Sequence, residues 1–174
     1  MIAQPVTAAP GTAIRSDERR EFELSYREVS RSAFLLARHL GRDTDAASDI
    51  VQEAALRAWR YRSSRRGEFR PWFLAIVYRL SRSGVPEWLP LPAAWDRSSA
   101  DPVESSMDPE LVAAMRALPA RQRVALWLRY CDDLAISDVA RVLRCSDAAA
   151  KQLLLRARES VRDRLTAMKE ETER

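Results

Sequence analysis

The chain is poor in the residues that interrupt helices or build catalytic centres. It has four glycines in 174 residues, and none forms the glycine-rich loop that cradles a phosphate. One histidine, His39, and two cysteines, Cys131 and Cys145, supply no set with metal-ligand spacing. Both thiols read as small buried core residues in a reducing compartment. His39 stands alone near a helix end, with no carboxylate pair or nucleophile–base set beside it, so an enzyme is the least supported class. No metal and no cofactor is expected. No apolar run reaches membrane-spanning length. The Ala/Pro/Thr-rich start, Met1 to Ile14, has neither the basic nor the apolar segment of a signal peptide. The expectation is a cytoplasmic protein without membrane contact. Lysine is scarce as well, with only Lys151 and Lys169 among 29 basic side chains.

Alanine, leucine, arginine and glutamate dominate, a composition that favours helix. The expected fold class is all-α, two small helical domains and no strands. Net charge is +4 and the pI near 9.5, but its distribution says more. Residues 22–80 carry 11 basic and 7 acidic side chains, and residues 110–165 carry the same numbers. Between them, residues 84–109 hold Glu87, Asp96, Asp101, Glu104 and Asp108 against Arg97 alone. Two basic lobes joined by an acidic strap point to a polyanionic partner.

The most informative stretch is Asp49-Ile-Val-Gln-Glu-Ala-Ala-Leu-Arg-Ala-Trp59. On a helical wheel at about 100° per residue, Ile50, Val51, Ala54, Ala55, Ala58 and Trp59 fill one half. Asp49, Gln52, Glu53, Arg57 and Arg60 fill the other, with Leu56 in the middle of that polar arc. A helix with a complete apolar face does not need this leucine. An isolated exposed leucine is the plain reading; an apolar docking anchor inside a charged rim is the alternative.

In chain order, residues 1–16 read as a disordered leader, with Ser16 capping a helix whose stripe is Phe22, Tyr26, Val29, Ala33, Leu36, Ala37 and Leu40. Gly41 ends it, and Thr44 or Asp45 caps the next helix. That helix runs into Trp59-Arg60-Tyr61-Arg62-Ser63-Ser64-Arg65-Arg66-Gly67-Glu68-Phe69-Arg70-Pro71-Trp72, where arginines alternate with aromatics. Guanidiniums hold phosphates and aromatic faces accept unstacked bases, so the segment suits nucleic acid; Trp59 and Trp72 themselves read as core-facing. A third helix, Phe69 to Arg82, closes a first domain over residues 17–82. Residues 83–108, with Pro86, Pro90, Pro92 and Pro102, read as a linker that also contains Trp88 and Trp95. Asp108-Pro109 opens a second domain, residues 109–168, as N-cap and first helical position. Val124, Leu126, Trp127, Leu128 and Tyr130 supply its core. A short helix ending at Leu143, a turn Arg144-Cys145-Ser146 and a longer helix from Asp147 make a helix-turn-helix, with Arg144 where the turn glycine usually stands. Residues 169–174 read as a frayed tail.

Taken together, these parts resemble an extracytoplasmic-function RNA polymerase sigma factor of the sigma-70 family over residues 20–167. Asp49 to Trp59 closely matches the family's core-polymerase-binding segment, and Phe69-Arg-Pro-Trp-Phe-Leu-Ala-Ile resembles its promoter-reading helix. Leu118-Pro-Ala-Arg-Gln-Arg, Leu128-Arg-Tyr, Val139-Ala-Arg-Val-Leu-Arg-Cys-Ser and Lys151 through Arg158 match in spacing. The resemblance implies that Asp49, Gln52, Glu53, Leu56 and Arg60 face the clamp helices of the polymerase largest subunit. It implies that Arg62, Arg65, Arg66, Phe69, Arg70, Trp72 and Arg79 meet the minus-ten element. The linker would thread the polymerase cleft. Arg144, Ala148, Ala149, Lys151, Gln152, Arg156 and Arg158 would lie at the minus-thirty-five element, Lys151 and Arg158 mainly on phosphates. Expected partners are core polymerase and promoter DNA. An anti-sigma protein is a further one, since many relatives are held by such a protein. The free chain is expected to be monomeric.

Two departures bear on function. Arg79 stands where the family often has asparagine. Ala149 and Leu153 replace polar residues on the recognition helix, which leaves few hydrogen-bonding groups for base edges and implies weak minus-thirty-five reading. Two other readings therefore stay open: a helix-turn-helix regulator acting without polymerase, and a sigma-like adaptor that reads promoters poorly.

Overall fold

Among the described residues, seven α-helices account for the regular structure, apart from one short 3-10 turn at Arg62–Ser64 and one π turn. The computed structural model describes residues 10–82 and 108–172. Helices α1 (Pro10–His39), α2 (Thr44–Arg60) and α3 (Phe69–Arg82) form the first module. The second contains α4 (Pro109–Arg116), α5 (Ala120–Leu126, continued by the π turn Trp127–Cys131), α6 (Ile136–Leu143) and α7 (Asp147–Thr172). Trp88 and Trp95 lie outside the described residues.

Several termini follow the chemistry of their end residues. At the end of α1, Gly41 takes φ +86; its N–H bonds the Arg38 carbonyl at 2.8 Å, and the Arg42 N–H bonds that of Ala37 at 3.2 Å. This is a Schellman closure. The cap of α2 is Asp43 rather than Thr44 or Asp45, its carboxylate accepting from the Ala46 N–H at 2.7 Å. Asp108 caps α4 by accepting from Glu110 N–H at 2.8 Å, with Pro109 in the first turn. Helix α1 does not begin at Ser16: it starts at Pro10, whose missing N–H costs nothing in a first turn. At the other end α7 continues to Thr172, past the expected stop at Met168.

Helices α1, α2 and α3 pack against one another. The interior holds Val29, Ala33, Leu36 and Ala37 of α1, Ala47, Val51, Ala54 and Ala58 of α2, and Phe73 and Val77 of α3. Three alanines on the buried stripe of α2 let its backbone approach closely. At one end Phe22 sets its edge against Trp59 (5.2 Å between centroids) and Phe69 (5.5 Å). In the second module Val124, Leu128, Val139, Val142, Ala150, Leu154 and Ala157 are buried. Tyr130 is not; it is 58% exposed. The reason is the π turn, where the Asp132 N–H bonds the Trp127 carbonyl at 3.0 Å. The extra residue rotates the chain away from the wheel that would have turned Tyr130 inward. Cys131 is likewise exposed and Cys145 half-buried, so neither is the enclosed core thiol that was expected.

The two modules also share one continuous buried cluster. Helix α3 packs on α6 and α1 on α5. Arg123 is 1% exposed, and its guanidinium donates to the His39 carbonyl at 3.0 and 2.8 Å, to Leu118 O at 2.8 Å and to Arg116 O at 3.1 Å. One arginine fork thus ties the end of α1 to the α4–α5 turn. The His39 ring lies 5.4 Å from that of Trp127. Burial, then the positive charges of Arg123, Arg116 and Arg38, lower the His39 pKa to about 3.

His39 stays neutral in the folded chain, whereas the unfolded chain protonates it near its ordinary pKa of about 6.5. Stability attributable to this residue should therefore fall as pH drops from about 6.5 toward 3, by roughly 1 kcal/mol per pH unit. Denaturant unfolding at pH 7 and pH 5 should show that slope in the native chain and a shallower one in His39→Gln. Equal slopes would contradict it. Arg144 ends α6 at φ 54, ψ 50, a left-handed conformation that strains a side-chain-bearing residue. Arg144→Gly should raise stability by about 1 kcal/mol, read as a higher Tm.

Candidate functional site

The sequence-derived site residues fall on three surfaces. On α2, Asp49, Gln52, Glu53 and Arg60 are exposed, and Leu56 is 67% exposed among them. Glu53 is not a bare acid, since Arg57 Nε donates to it at 2.5 Å. The neighbouring apolar residues Val51, Ala54 and Ala58 are buried, so Leu56 is surplus to the core.

The arginine-aromatic segment divides into two parts. Arg62, Arg65 and Arg66 are exposed on the turn between α2 and α3. Arg62 lies 4.2 Å over the Trp59 ring and donates to Glu18 at 3.1 and 3.3 Å. Arg65 lies 5.9 Å from the Phe69 ring centroid and 3.9 Å from Glu21. Both guanidiniums are held over aromatic rings by acids from α1. Phe69, expected as a DNA contact, is instead a core residue: it is 9% exposed, its ring stacked on Phe73 at 5.5 Å. Trp59 and Trp72 are half-buried. Arg70 is turned toward the second module, where it pairs with Asp132, and it also donates to Ser32 Oγ of α1 at 3.0 Å. The hydrogen bond to Asp132 raises its pKa. Arg79 is exposed.

The third surface is the helix-turn-helix. The Arg144 N–H bonds Arg141 O at 3.3 Å and the Cys145 N–H bonds Ala140 O at 3.0 Å, closing α6. Ser146 Oγ then accepts from the Ala149 N–H at 3.1 Å and starts α7. Ala148, Ala149, Lys151, Gln152 and Arg156 are exposed along the first turns of α7, while Ala150 and Leu154 anchor it. Arg158 lies near Lys151, seven positions on and about 20° round the helix, but about 120° away from Gln152. It donates to Tyr130 Oη at 3.4 Å. It edges an apolar groove of about 630 Å³ lined by Leu111, Met115, Leu126 and Val161.

Members of all three surfaces meet in a cleft of about 930 Å³ between the modules. Its walls include Glu53, Leu56, Arg57, Arg60, Trp72 and Arg79 from the first, and Arg141 and Arg144 from the second. Sequence reading missed Arg141, Asp132 and Ser32 at this junction. The partners of Asp132 and Ser32 lie 38 to 100 positions away, beyond any local periodicity, whereas Arg141 pairs locally with Asp138 at 2.7 Å.

The chain matches two family models, "Sigma-70 region 2" over residues 26–85 and "Sigma-70, region 4" over residues 109–161. The chain belongs to the sigma-70 family, in its extracytoplasmic-function group. Region 2 contains α2, the arginine-aromatic turn and α3; region 4 contains the helix-turn-helix. Among relatives, the chain is 35% identical over 147 residues to the probable RNA polymerase sigma factor RfaY of Xanthomonas campestris pv. campestris, covering 75% of this chain and 36% of that protein. It is 34% identical over 131 residues to the ECF RNA polymerase sigma factor SigJ of Mycobacterium tuberculosis, covering 66% and 42%. The chain thus spans less than half the length of these two relatives. The fold resembles that of the sigma factor RpoE solved in complex with the anti-sigma factor NepR from Bartonella quintana. That match has TM-score 0.59 at 21% identity, over 86% of this chain and 97% of the other. No described helix is long and apolar enough to cross a membrane.

The division within the arginine-aromatic segment yields a test. Phe69→Ala should cost about 3–5 kcal/mol of stability by opening a cavity in the core. Arg66→Ala should change stability by less than about 0.5 kcal/mol and instead weaken single-stranded DNA binding. Chemical denaturation and fluorescence anisotropy separate the two; a destabilising Arg66→Ala would contradict the placement.

Proposed function

We propose that this chain is a promoter-specificity subunit that docks on core RNA polymerase, stabilises the opened minus-ten element and directs initiation, with no chemistry of its own. The observation that carries this reading is Leu56, exposed inside Asp49, Gln52, Glu53 and Arg60 on a helix whose other apolar face is complete. An aliphatic side chain ringed by charge suits a protein partner: the centre desolvates on contact while the rim sets orientation. The clamp helices of the largest subunit are the proposed partner. Arg62, Arg65, Arg66 and Arg79 are proposed to hold the opened strand, and α7 to enter the major groove at minus-thirty-five through Arg144, Lys151, Gln152 and Arg156.

Exposed Ala148 and Ala149 on that helix favour a second reading for region 4, in which it positions more than it specifies. Methyl groups contact thymine methyls and form no hydrogen bonds, so discrimination rests on Gln152 and Arg156 at about 1–3 kcal/mol for a good bidentate pair.

The docking proposal is checked by co-elution with purified core polymerase on a size-exclusion column. Combined Asp49→Ala, Glu53→Ala and Leu56→Ala substitution should abolish co-elution, since a central anchor is worth about 2 kcal/mol or more, while circular dichroism stays unchanged. Undiminished co-elution of that variant would move the interface off α2.

A further inference from the structure

Arg60, Arg79 and Arg144 stand far apart in the chain, at the end of α2, in the last turn of α3 and in the turn of the helix-turn-helix. The fold brings all three to the wall of the cleft of about 930 Å³ between the modules. The other two arginines on that wall are already ion-paired. Arg57 Nε donates at 2.5 Å to Glu53, the one acid among the lining residues, and Arg141 Nη1 donates to Asp138 at 2.7 Å. Arg60, Arg79 and Arg144 are exposed, and no described acid pairs with any of them. Low-dielectric walls focus the field of like charges that face one concavity, so the cleft attracts anions from solution. The same cleft carries aromatic surface, with Trp72 half-buried and Tyr61 55% exposed. Its volume suits a small molecule, whose sites run from about 300 to 1,000 Å³.

We propose that this cleft binds a free nucleotide bearing a polyphosphate, with Arg60, Arg79 and Arg144 holding the phosphates and Trp72 and Tyr61 the base. A planar guanidinium donates two parallel N–H bonds to a phosphate. An aromatic face accepts a base of any identity. The site therefore selects for phosphate number more than for the base. An opened DNA strand offers the same groups in a different layout. It carries one charge per nucleotide along a line, whereas a polyphosphate concentrates several at one point. Cations that converge on one cleft from both modules match the second layout. The inference goes beyond polymerase docking and is read on the chain alone, so failure of either leaves the other standing.

Isothermal titration calorimetry of the full chain at constant ionic strength tests the site, with ATP, GTP, guanosine and inorganic triphosphate as probes. ATP and GTP should each bind with one-to-one stoichiometry. Inorganic triphosphate should bind about tenfold more weakly, because it lacks the stacked base, and guanosine without measurable heat. Arg79→Ala should weaken ATP binding about tenfold. Arg144→Gly should do the same; it removes the guanidinium from a left-handed residue that glycine adopts without strain, so its loss of binding is not a loss of folding. Arg20→Ala removes the same charge from the exposed start of α1 and should change affinity less than about twofold. Trp72→Leu should bring ATP down to the affinity of inorganic triphosphate. Tyr61→Leu, at the more exposed ring, reports the base contact should the tryptophan variant lose helicity by circular dichroism. Equal affinity for ATP and inorganic triphosphate overturns the nucleotide site, as does an Arg20→Ala loss that equals that of Arg79→Ala. So does the absence of nucleotide binding at millimolar concentration; a short single-stranded DNA that alone binds through Arg79 would assign the cleft to the strand instead.

Discussion

Helix α3 is wedged between two apolar surfaces, and its double burial determines how the other candidate surfaces are presented. Phe73 and Val77 lock it to α1 and α2; Leu74 and Tyr78 are buried on its second stripe, and α6 packs on the same helix. Because α2 and α3 share one interior, the outward side of α2 is fixed and Leu56 has no core to enter. Because α6 leans on α3, the turn at Arg144 is brought to the same cleft as Leu56, Trp72 and Arg79. A burial pattern set by ordinary hydrophobic packing thus decides which charged groups are available for a partner.

Arginine in place of lysine is the second constraint. Arg123 reaches three carbonyls from one planar fork, a geometry that an ammonium on a flexible stem does not reproduce. Arg62 and Arg65 sit over aromatic rings while pairing with acids of α1. Such pairs at the surface are weak, about 0–1 kcal/mol, and exchange readily for a phosphate. The Arg70–Asp132 pair is different, because its carboxylate is sealed and its release is coupled to separation of the modules. The same residue type serves as a structural fork, as an exposed surface pair and as a sealed inter-module pair, and burial of its partner distinguishes the three.

Much of this was legible in the sequence, and the exceptions have physical causes. The amphipathic wheel of α2 placed Leu56 outside, and Asp108-Pro109 and Arg144-Cys145-Ser146 marked helix boundaries through local capping chemistry. The sigma-70 resemblance, resting on two motif sets in order, agrees with both matched family models. Tyr130 escaped because a π turn breaks the 100° period on which wheel arguments depend; Cys131 escaped because burial was expected from its residue type alone. Phe69 escaped because an aromatic between arginines looks the same whether its ring stacks on a base or on Phe73. Contacts such as Ser32–Asp132 carry no signal in spacing at all, because topology rather than periodicity brings them together.

Promoter specificity for core RNA polymerase is the role proposed for this chain. Run-off transcription with purified core enzyme and a promoter library tests it most directly. Transcripts with discrete start sites should appear only when the chain and core enzyme are both present, over templates sharing a common upstream element. Core enzyme that binds the chain yet initiates at no discrete site would contradict it.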